Sequence, residues 1–525
     1  MAAARWPVRT VPSELRARYL AEGWWTDDTL GGLVERSLRD APNAEVHIWS
    51  ETRPWHGTYA DIEADARRLV TVLREGGIEP GDVVAFQLPN WREALVAFYG
   101  LALGGYVLVP IVHIYGPKEV RFILAQCGAR AYISADRFGH VDYVDIVENA
   151  PAGSLPALSK HLVVDSDDWR AIANATPLDA AVATDPEEVC VLAYTSGTTS
   201  DPKGVMHTHR TLLAEMQHMA PMLAAAKDNL MGSPVTHATG MLGAALGPMQ
   251  LGRNINLIDR WDPDRVLDIM IEARIGAGTG ASVFLASVID HPKFTPEHAR
   301  LVPRVGLGGA PVPVALAERA LAQGVAIIRA YGSTEHPSIT GSMFDDPDQK
   351  RNETDGCPRL GVEVQLVDGE IWSRGPDLCA GYTDTALTAK VFDADGWYHT
   401  GDMGVLDDEG YLTITDRLND VVIRGGENIS AAEVEVAIAE LPTVAEVAVV
   451  AAPDTRLGEH ACALVRLTPG ATELKLGDVT AHLEHIGLAR QKWPEDLRIV
   501  PDFPRTASGK IRKVDLRAQL RAETA

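Results

Sequence analysis

Through roughly the first 350 residues, short apolar runs alternate with stretches whose apolar positions recur every three to four residues. VVAFQL (83–88), YVLVPI (106–111) and AYIS (131–134) read as buried strands, and REALVAFYGLAL (92–103) and KEVRFILAQCG (118–128) read as helices. This rhythm predicts an α/β fold of layered, largely parallel sheets. Near residue 360 the pattern changes: VEVQLV (362–367), GEIWSRG (369–375) and YLTIT (411–415) are separated by Gly and Asp turns, which predicts a β-rich subdomain over about 360–415. After DRLND (416–420) the last block reads as a strand at 421–424, a helix at 431–441, strands at 444–452 and 461–467, a helix at 476–486 and a basic tail. About a hundred residues of this kind can fold as a small separate α+β domain. The expected division is therefore 1–415, a connection at 416–420, and 421–525. No internal repeat or low-complexity tract interrupts it.

At 525 residues and 46% hydrophobic content the chain can bury a large core. Its 72 acidic and 48 basic residues leave a net charge of −24, which repels nucleic acid and anionic lipid at long range, so no nucleic-acid partner is expected. A polyanionic ligand would need local cations, for which Lys203, Arg417, Arg424 and Lys510 are candidates. Cys127, Cys190, Cys357, Cys379 and Cys462 form no C-x-x-C pair and read as reduced thiols of a cytoplasmic protein. The apolar run 94–115 is broken by Gly104, Gly105 and Pro110, so it reads as a buried helix and strand and no transmembrane segment is expected. The amino terminus has no signal-peptide h-region.

The chemistry concentrates in six short segments. Residues 194–204, YTSGTTSDPKG, offer the hydroxyls of Thr195, Ser196, Thr198 and Thr199, the open backbone of Gly197 and the charge of Lys203, a set suited to phosphate oxygens. The strand-like 189–194 precedes them and THRTLLAEMQHM (208–219) reads as a helix after them, which predicts a strand, loop and helix around a phosphate. The spacing is not that of a Walker loop. Tyr331-Gly332-Ser333-Thr334-Glu335 follows the strand-like 326–330, and a carboxylate there suits Mg²⁺ beside phosphate. Gly308-Gly309-Ala310-Pro311 follows the strand-like 304–308 and permits close backbone approach. GWYHTGD ends on Asp402, with Arg417 fifteen residues on, and PRTASGKIRK carries Lys510. Arg424-Gly425-Gly426-Glu427-Asn428 has two glycines where a backbone must approach closely or change conformation. Taken singly, most of these also read as ordinary turns with solvated charges.

As an ordered series from about residue 30 to 513, they resemble the AMP-forming acyl-CoA synthetase family, which activates a carboxylic acid with ATP and transfers the acyl group, usually to coenzyme A. The resemblance implies a large ATP-binding domain and a small mobile C-terminal one. It implies that Thr334 bonds the α-phosphate, that Glu335 holds Mg²⁺, and that Tyr331, Gly332 and Ser333 lie by the nucleotide with Gly309, Ala310 and Pro311. Asp402 and Arg417 are implied to hold the ribose, and Lys510 to bridge carboxylate and phosphate oxygens during adenylation. Gly425, Gly426 and Glu427 are implied to enter the site after the C-terminal domain rotates, opening the thiol path. Asn419 stands at the hinge position, where the family commonly has Asp or Lys.

The segment 233–241, SPVTHATGM, matches the family's acyl-pocket segment, with His237 near the carboxylate and the thiol path. No acidic residue occurs between Ser233 and Gly240 to pair with a substrate amino group, and Ala238 replaces the asparagine of hydroxybenzoate-activating relatives. Gly240, Met241, Ala281, Gly308 and Gly332 would line an apolar pocket. The implied enzyme is an ATP-dependent acid–CoA ligase of the medium-chain and alicyclic branch, such as the cyclohexanecarboxylate–CoA ligases. Its substrates would be ATP with Mg²⁺, CoA and a carboxylic acid, with no bound prosthetic group. The alternatives are an acyl-AMP ligase loading a separate carrier protein and an aryl-acid–CoA ligase. A nucleotide-binding regulator is disfavoured by the retention of Lys203, Glu335, Asp402, Arg417 and Lys510.

Overall fold

The computed structural model describes residues 6–139, 141–195, 202–225, 227–309, 312–418, 420–424, 427–454, 458–471, 473–486, 488, 490–506 and 509–524. Its chain packs into two units: the first comprises residues up to 363 together with 373–398, the second 364–372 together with 399–525.

Two large sheets carry the first unit. One runs in the order Lys203–Thr208, Val189–Thr195, Val107–Pro110, Val83–Gln87, Ala131–Ser134, Lys160–Val163, parallel except for its first pair. The other runs Gly276–Ala277, Asn229–Met231, Ile255–Ile258, Glu45–Trp49, Trp55–Thr58, parallel except for its last pair. All five residues of Val83–Gln87 and all four of Ala131–Ser134 are buried, as expected of parallel strands covered on both faces. The helix Arg92–Leu103, almost wholly apolar, buries eleven of its twelve residues and packs against Tyr59–Glu75. The latter starts where Thr58 and Asp61 form a reciprocal capping box. A third sheet, Arg304–Gly308, Ala326–Tyr331, Thr340–Gly341, Cys357–Pro358, begins with a parallel pair. Val305, Leu307 and Ile327 join its core to the helices Pro263–Ala273 and Val314–Ala322.

The second unit holds the antiparallel hairpin of Tyr398–Leu406 and Leu412–Arg417, in a sheet with Glu363–Val367 and Glu370–Arg374. A further sheet runs Glu427–Ile429, Val422–Arg424, Gly458–Leu467, Val444–Asp454, with Asp496–Ile499 along Gly458–Leu467. The helices Ala431–Ala439 and Leu476–His485 cover one side through Val434, Ile438, Val479 and Leu483.

Two expectations need correction. The loop after Val189–Thr195 leads into a strand, Lys203–Thr208, and the helix starts only at His209. Pairing of Lys203–Thr208 with Val189–Thr195 satisfies its backbone groups, and that partner is invisible to a local pattern. The basic tail is a helix, Lys513–Thr524, whose Leu516 and Leu520 pack on Val450 and Leu464. Its charges are paired rather than solvated: Lys513 lies 2.8 Å from Glu435, and Arg517 pairs with Asp420. Among the described residues no helix is long and apolar enough to cross a membrane.

Candidate active site

The phosphate-binding candidates sit at a hairpin rather than at a helix N-terminus. Thr195 stands opposite Lys203 in the antiparallel pair, so the two ends of the loop are held in register. Ser196, Gly197, Thr198 and Thr199 lie outside the described residues. The base of the hairpin is clamped from a distance. Tyr194 donates its hydroxyl to Gln126 Oε1 at 2.6 Å, and Thr383 donates to the same oxygen at 3.2 Å. A Cβ on Gly204 would come within 2.8 Å of Thr383 Oγ1 and 2.9 Å of Tyr194 Cζ, so glycine is needed where the segments cross. Along the strand's outer edge, Met206 N donates to Gly381 O at 2.9 Å, Ala380 N to Met206 O at 2.7 Å and Thr383 N to Gly204 O at 2.8 Å.

This pairing brings residues 380–383 and the Thr334-Glu335 turn to the same strand. Tyr331 ends the strand Ala326–Tyr331, buried, and its carbonyl accepts from Ile339 N at 3.0 Å as the chain doubles back. Ser333 N donates to His336 O and His336 N to Ser333 Oγ, closing a tight turn. Gly332 is obligatory within it, since a Cβ would lie 1.9 Å from Pro337 O. The carbonyl of Thr334 accepts from His207 Nε2 at 2.7 Å. A carbonyl can only accept, so Nε2 carries a proton, and burial holds this imidazole below its ordinary value and neutral. Glu335 is buried at 8% exposure. Its Oε1 accepts from the Tyr382 hydroxyl at 2.6 Å and its backbone carbonyl from Cys379 N at 2.8 Å. Burial first, and the Glu335 carboxylate second, drive the Tyr382 hydroxyl far above its usual range, so it stays a donor. The result is a carboxylate fixed through one oxygen, a hard oxygen donor of the kind that Mg²⁺ accompanying a nucleotide takes.

The acyl-pocket candidates converge through backbone. Gly308 N donates to Gly280 O at 3.0 Å and Gly280 N to Gly306 O at 3.1 Å, which fastens 280–281, and with it Ala281, beside the end of Arg304–Gly308. A Cβ on Gly280 would meet Ser233 Oγ at 2.9 Å and Thr239 Cγ2 at 3.8 Å, and one on Gly309 would stand 3.9 Å from Thr239 Oγ1. Gly308 pairs with Ala330, next to Tyr331. His237, half-buried, caps the short helix Ala238–Gly240, its Nδ1 accepting from Thr239 N at 3.3 Å. Gly240 is packed so closely on Pro234 O that a Cβ would lie 1.9 Å away, and Met241 is buried behind it. Ala310 and Pro311 lie outside the described residues. The segments 233–241, 280–281, 308–309 and 331–335 thus meet beyond the carboxyl ends of two parallel strands, where open α/β sheets take their ligands.

In the second unit, strand pairing explains a sequence separation. Asp402 and Arg417 stand opposite one another in the hairpin, and Arg417 Nε lies 2.9 Å from Asp402 Oδ1. Asp402 is buried while the arginine side chain is 57% exposed, so the guanidinium keeps a solvent-facing edge. The turn before Asp402 needs Gly401 at φ 71° and is fixed by Thr400 Oγ1 donating to Ile371 O and Gly401 N to Glu370 Oε1. Lys510 closes a turn in which Thr506 N donates to Lys510 O at 2.7 Å and Lys510 N to Thr506 Oγ1 at 3.1 Å. Although the residue keeps open surface, crowding by protein atoms first, and the Arg417 guanidinium second, hold its ammonium below the ordinary lysine value, with Asp402 opposing. Asn419, Gly425 and Gly426 lie outside the described residues, as does the Glu427 side chain.

Sequence reasoning missed His207, Gln126, Tyr382 and Thr383, which hold the two phosphate-side segments. One signal was legible: a tyrosine following glycine at 381–382, within the predicted β-rich stretch but outside its strand-like runs.

The sequence profile of AMP-binding enzymes matches residues 34–383, and that of the AMP-binding enzyme C-terminal domain matches 433–510. The chain is 32% identical over 533 residues to a medium-chain fatty-acid–CoA ligase of Escherichia coli, covering 97% of this chain and 94% of the relative. It is 36% identical over 484 residues to the 3-[(3aS,4S,7aS)-7a-methyl-1,5-dioxo-octahydro-1H-inden-4-yl]propanoyl:CoA ligase of Rhodococcus jostii, covering 88% and 93%. The fold superposes on ATP-bound MatB from Rhodopseudomonas palustris with a TM-score of 0.84 at 26% identity, covering 95% of this chain and all of that one. With the family profile spanning most of the first unit and the relatives spanning the whole chain, this protein belongs to the AMP-binding enzymes, as an AMP-forming acid–thiol ligase.

Proposed function

We propose that the protein converts an apolar medium-chain, branched or alicyclic carboxylic acid, ATP and CoA to the acyl-CoA, AMP and pyrophosphate. In the first step a carboxylate oxygen attacks the α-phosphorus and pyrophosphate leaves. In the second the CoA sulfur attacks the acyl carbon and AMP leaves. Bringing two anions together demands cations and fixed donors at the α-phosphate. Thr334 donates to the α-phosphate, Lys203 meets the outer phosphates, Glu335 holds the Mg²⁺ that arrives with ATP, and Lys510 bridges carboxylate and phosphate. Asp402 and Arg417 take the ribose. The single observation that carries this reading is the joint fastening of Thr334 and Glu335 to one strand, Lys203–Thr208, through His207 and through residues 380–383.

The acid class rests on the acyl wall. Apart from His237, residues 233–241, 280–281 and 308–309 carry small or apolar side chains, with no carboxylate to receive an amino group. One relative is named for a medium-chain fatty acid and another for a propanoate on a fused bicyclic dioxo ring system, which supports a roomy pocket. CoA is the favoured acceptor over a carrier protein because those relatives are CoA ligases. On this reading 1–415 is the adenylation domain, 416–420 the hinge and 421–525 a mobile C-terminal domain, and the reduced thiols suit the cytoplasm.

Pyrophosphate release with Mg-ATP, measured across straight-chain, alicyclic, aryl and amino acids with and without CoA, tests this. The expected result is release that depends on an apolar acid, with an acyl-CoA product. Preference for an amino acid rejects the acyl-wall reading. Release that yields only acyl-AMP assigns the thiol step to a carrier protein.

A further inference from the structure

Behind the Thr334-Glu335 turn lies a cluster of ionisable side chains sealed from solvent. Asp377 is 0% exposed. Its Oδ1 accepts from His336 Nε2 at 3.1 Å and stands 3.5 Å from His218 Nδ1, and its Oδ2 accepts from Ser338 N at 3.4 Å. His336 Nδ1 meets Ser373 Oγ at 2.8 Å. Glu215, 1% exposed, accepts from Ser338 Oγ at 2.7 Å.

Glu215, His218 and Asp377 are groups of the metal-ligand type, with ligand atoms within 4.8 Å of one another. A cation is not required to balance them. Burial first, and Asp377 second, push the Glu215 carboxyl well above its ordinary value, so it is neutral. Burial alone would raise Asp377 too, but the His336 and His218 imidazoles hold it well below the usual carboxylate range, so it is the ionised member. The Arg359 guanidinium acts on Glu215 in the opposite sense, favouring its ionised form, but burial outweighs it.

An ionised carboxylate this deep is costly, and apolar residues of similar volume would stabilise the fold as well or better. What the carboxylate does gain is geometry. Three residues of 377–382 grip the segment 335–338: Asp377 holds the side chain of residue 336 and the N–H of residue 338, Cys379 N holds the Glu335 carbonyl, and Tyr382 holds the Glu335 carboxylate. The same segment is zipped to Lys203–Thr208 through Met206 and Ala380. We propose that Asp377 is a positioning residue for adenylation, locking the turn that carries Thr334 and Glu335 against the strand that carries Lys203, so that the α-phosphate donor, the magnesium carboxylate and the phosphate lysine keep one spacing.

This inference rests on the role given above to Glu335, and the test separates the two. Steady-state pyrophosphate release is measured with Mg-ATP varied and with the acid varied, in wild type and in Asp377→Asn, His336→Gln and Glu335→Gln, at a temperature well below every melting point. Asp377→Asn and His336→Gln are expected to raise the KM for Mg-ATP or lower kcat by about 10- to 100-fold, the size of effect seen when the partner of a ligand is lost. The KM for the acid and the rate of thioester formation from preformed acyl-AMP and CoA should stay near wild type. A folded Asp377→Asn with wild-type Mg-ATP kinetics overturns the proposal, as does an equal loss in both half-reactions. If Asp377→Asn does not fold, His336→Gln decides alone. Wild-type kinetics in Glu335→Gln would reject the magnesium role of Glu335, on which the proposal stands. One equivalent of tightly bound zinc-class metal in the purified enzyme, absent from Asp377→Asn, would make Asp377 a metal ligand and overturn its assignment as a positioning residue.

Discussion

At the scale of single residues, Lys510 is asked for a charge rather than a shape. To bridge a carboxylate and a phosphate it must be an ammonium, yet crowding and Arg417 both disfavour that form. The sign follows directly. A lowered lysine pKa means the working cation is lost, as pH rises, earlier than an ordinary lysine with pKa 10.5 would lose it. The adenylation rate of the wild type should therefore fall on an alkaline limb below pH 10.5, and Lys510→Arg, which stays charged, should lack that limb. Lys510→Ala should lose pyrophosphate release by about 100-fold or more, a typical loss for one electrostatic contact to a transition state. Thioester formation from preformed acyl-AMP should survive in that variant. Stopped assays of each half-reaction from pH 6 to about 10 measure both effects. Equal damage to the two half-reactions would remove Lys510 from the adenylation step.

At the scale of elements, the sequence was most legible where a pattern is local. The helix Arg92–Leu103 and the strands Ala131–Ser134 and Arg304–Gly308 emerge with the bounds their apolar runs imply, because Gly, Pro or charged residues bracket each. The strand Lys203–Thr208 did not, since only Val205 and Met206 mark it and its existence depends on pairing with Val189–Thr195. Lys513–Thr524 was read as a tail for a related reason: its few apolar residues stand among charges whose partners, Asp420 and Glu435, are about eighty to a hundred positions away. The same limit hid Asp377 and Tyr382 from the candidate site, although the motif residues themselves stood out. Gly332 shows what an element demands of a residue. A Cβ there would overlap Pro337 O at 1.9 Å, so the turn must open before an alanine fits. Gly332→Ala should destabilise the first unit by about 3 kcal/mol, at the upper end for overpacking, and abolish adenylation as Thr334 moves. Gly401→Ala is the control: its φ of 71° is strained for alanine but nothing lies within 4 Å. It should cost about 1 kcal/mol. Thermal and urea melts compare the two; a Gly332→Ala no less stable than Gly401→Ala would show that the turn relaxes freely.

At the scale of the whole molecule, a net charge of −24 sets the problem that the two units solve. ATP and CoA are polyanions, and on the proposed reading Lys203, Arg417, Arg424 and Lys510 supply the local positive charge they need against that field. Lys203 lies in the first unit and the other three in the second. The second unit also carries the glycine segment 425–426, which the family resemblance connects with the thiol step. On the proposed reading one unit bears residues for two successive reactions, and a residue needed for one has no reason to be needed for the other. Gly426→Leu puts a branched side chain where close backbone approach to pantetheine is expected, so it should leave acid-dependent pyrophosphate release near wild type while slowing thioester formation by about 100-fold, the size of loss a small misplacement of reacting groups produces. Lys510→Ala should show the opposite split. The pair is decisive because each variant controls for the other: a general disturbance of the second unit would slow both half-reactions in both proteins, whereas reciprocal losses require that the same unit present different faces to the two steps. Rapid-quench measurement of acyl-AMP and acyl-CoA in the two variants reads this directly, and loss of both half-reactions in Gly426→Leu would reject the alternation.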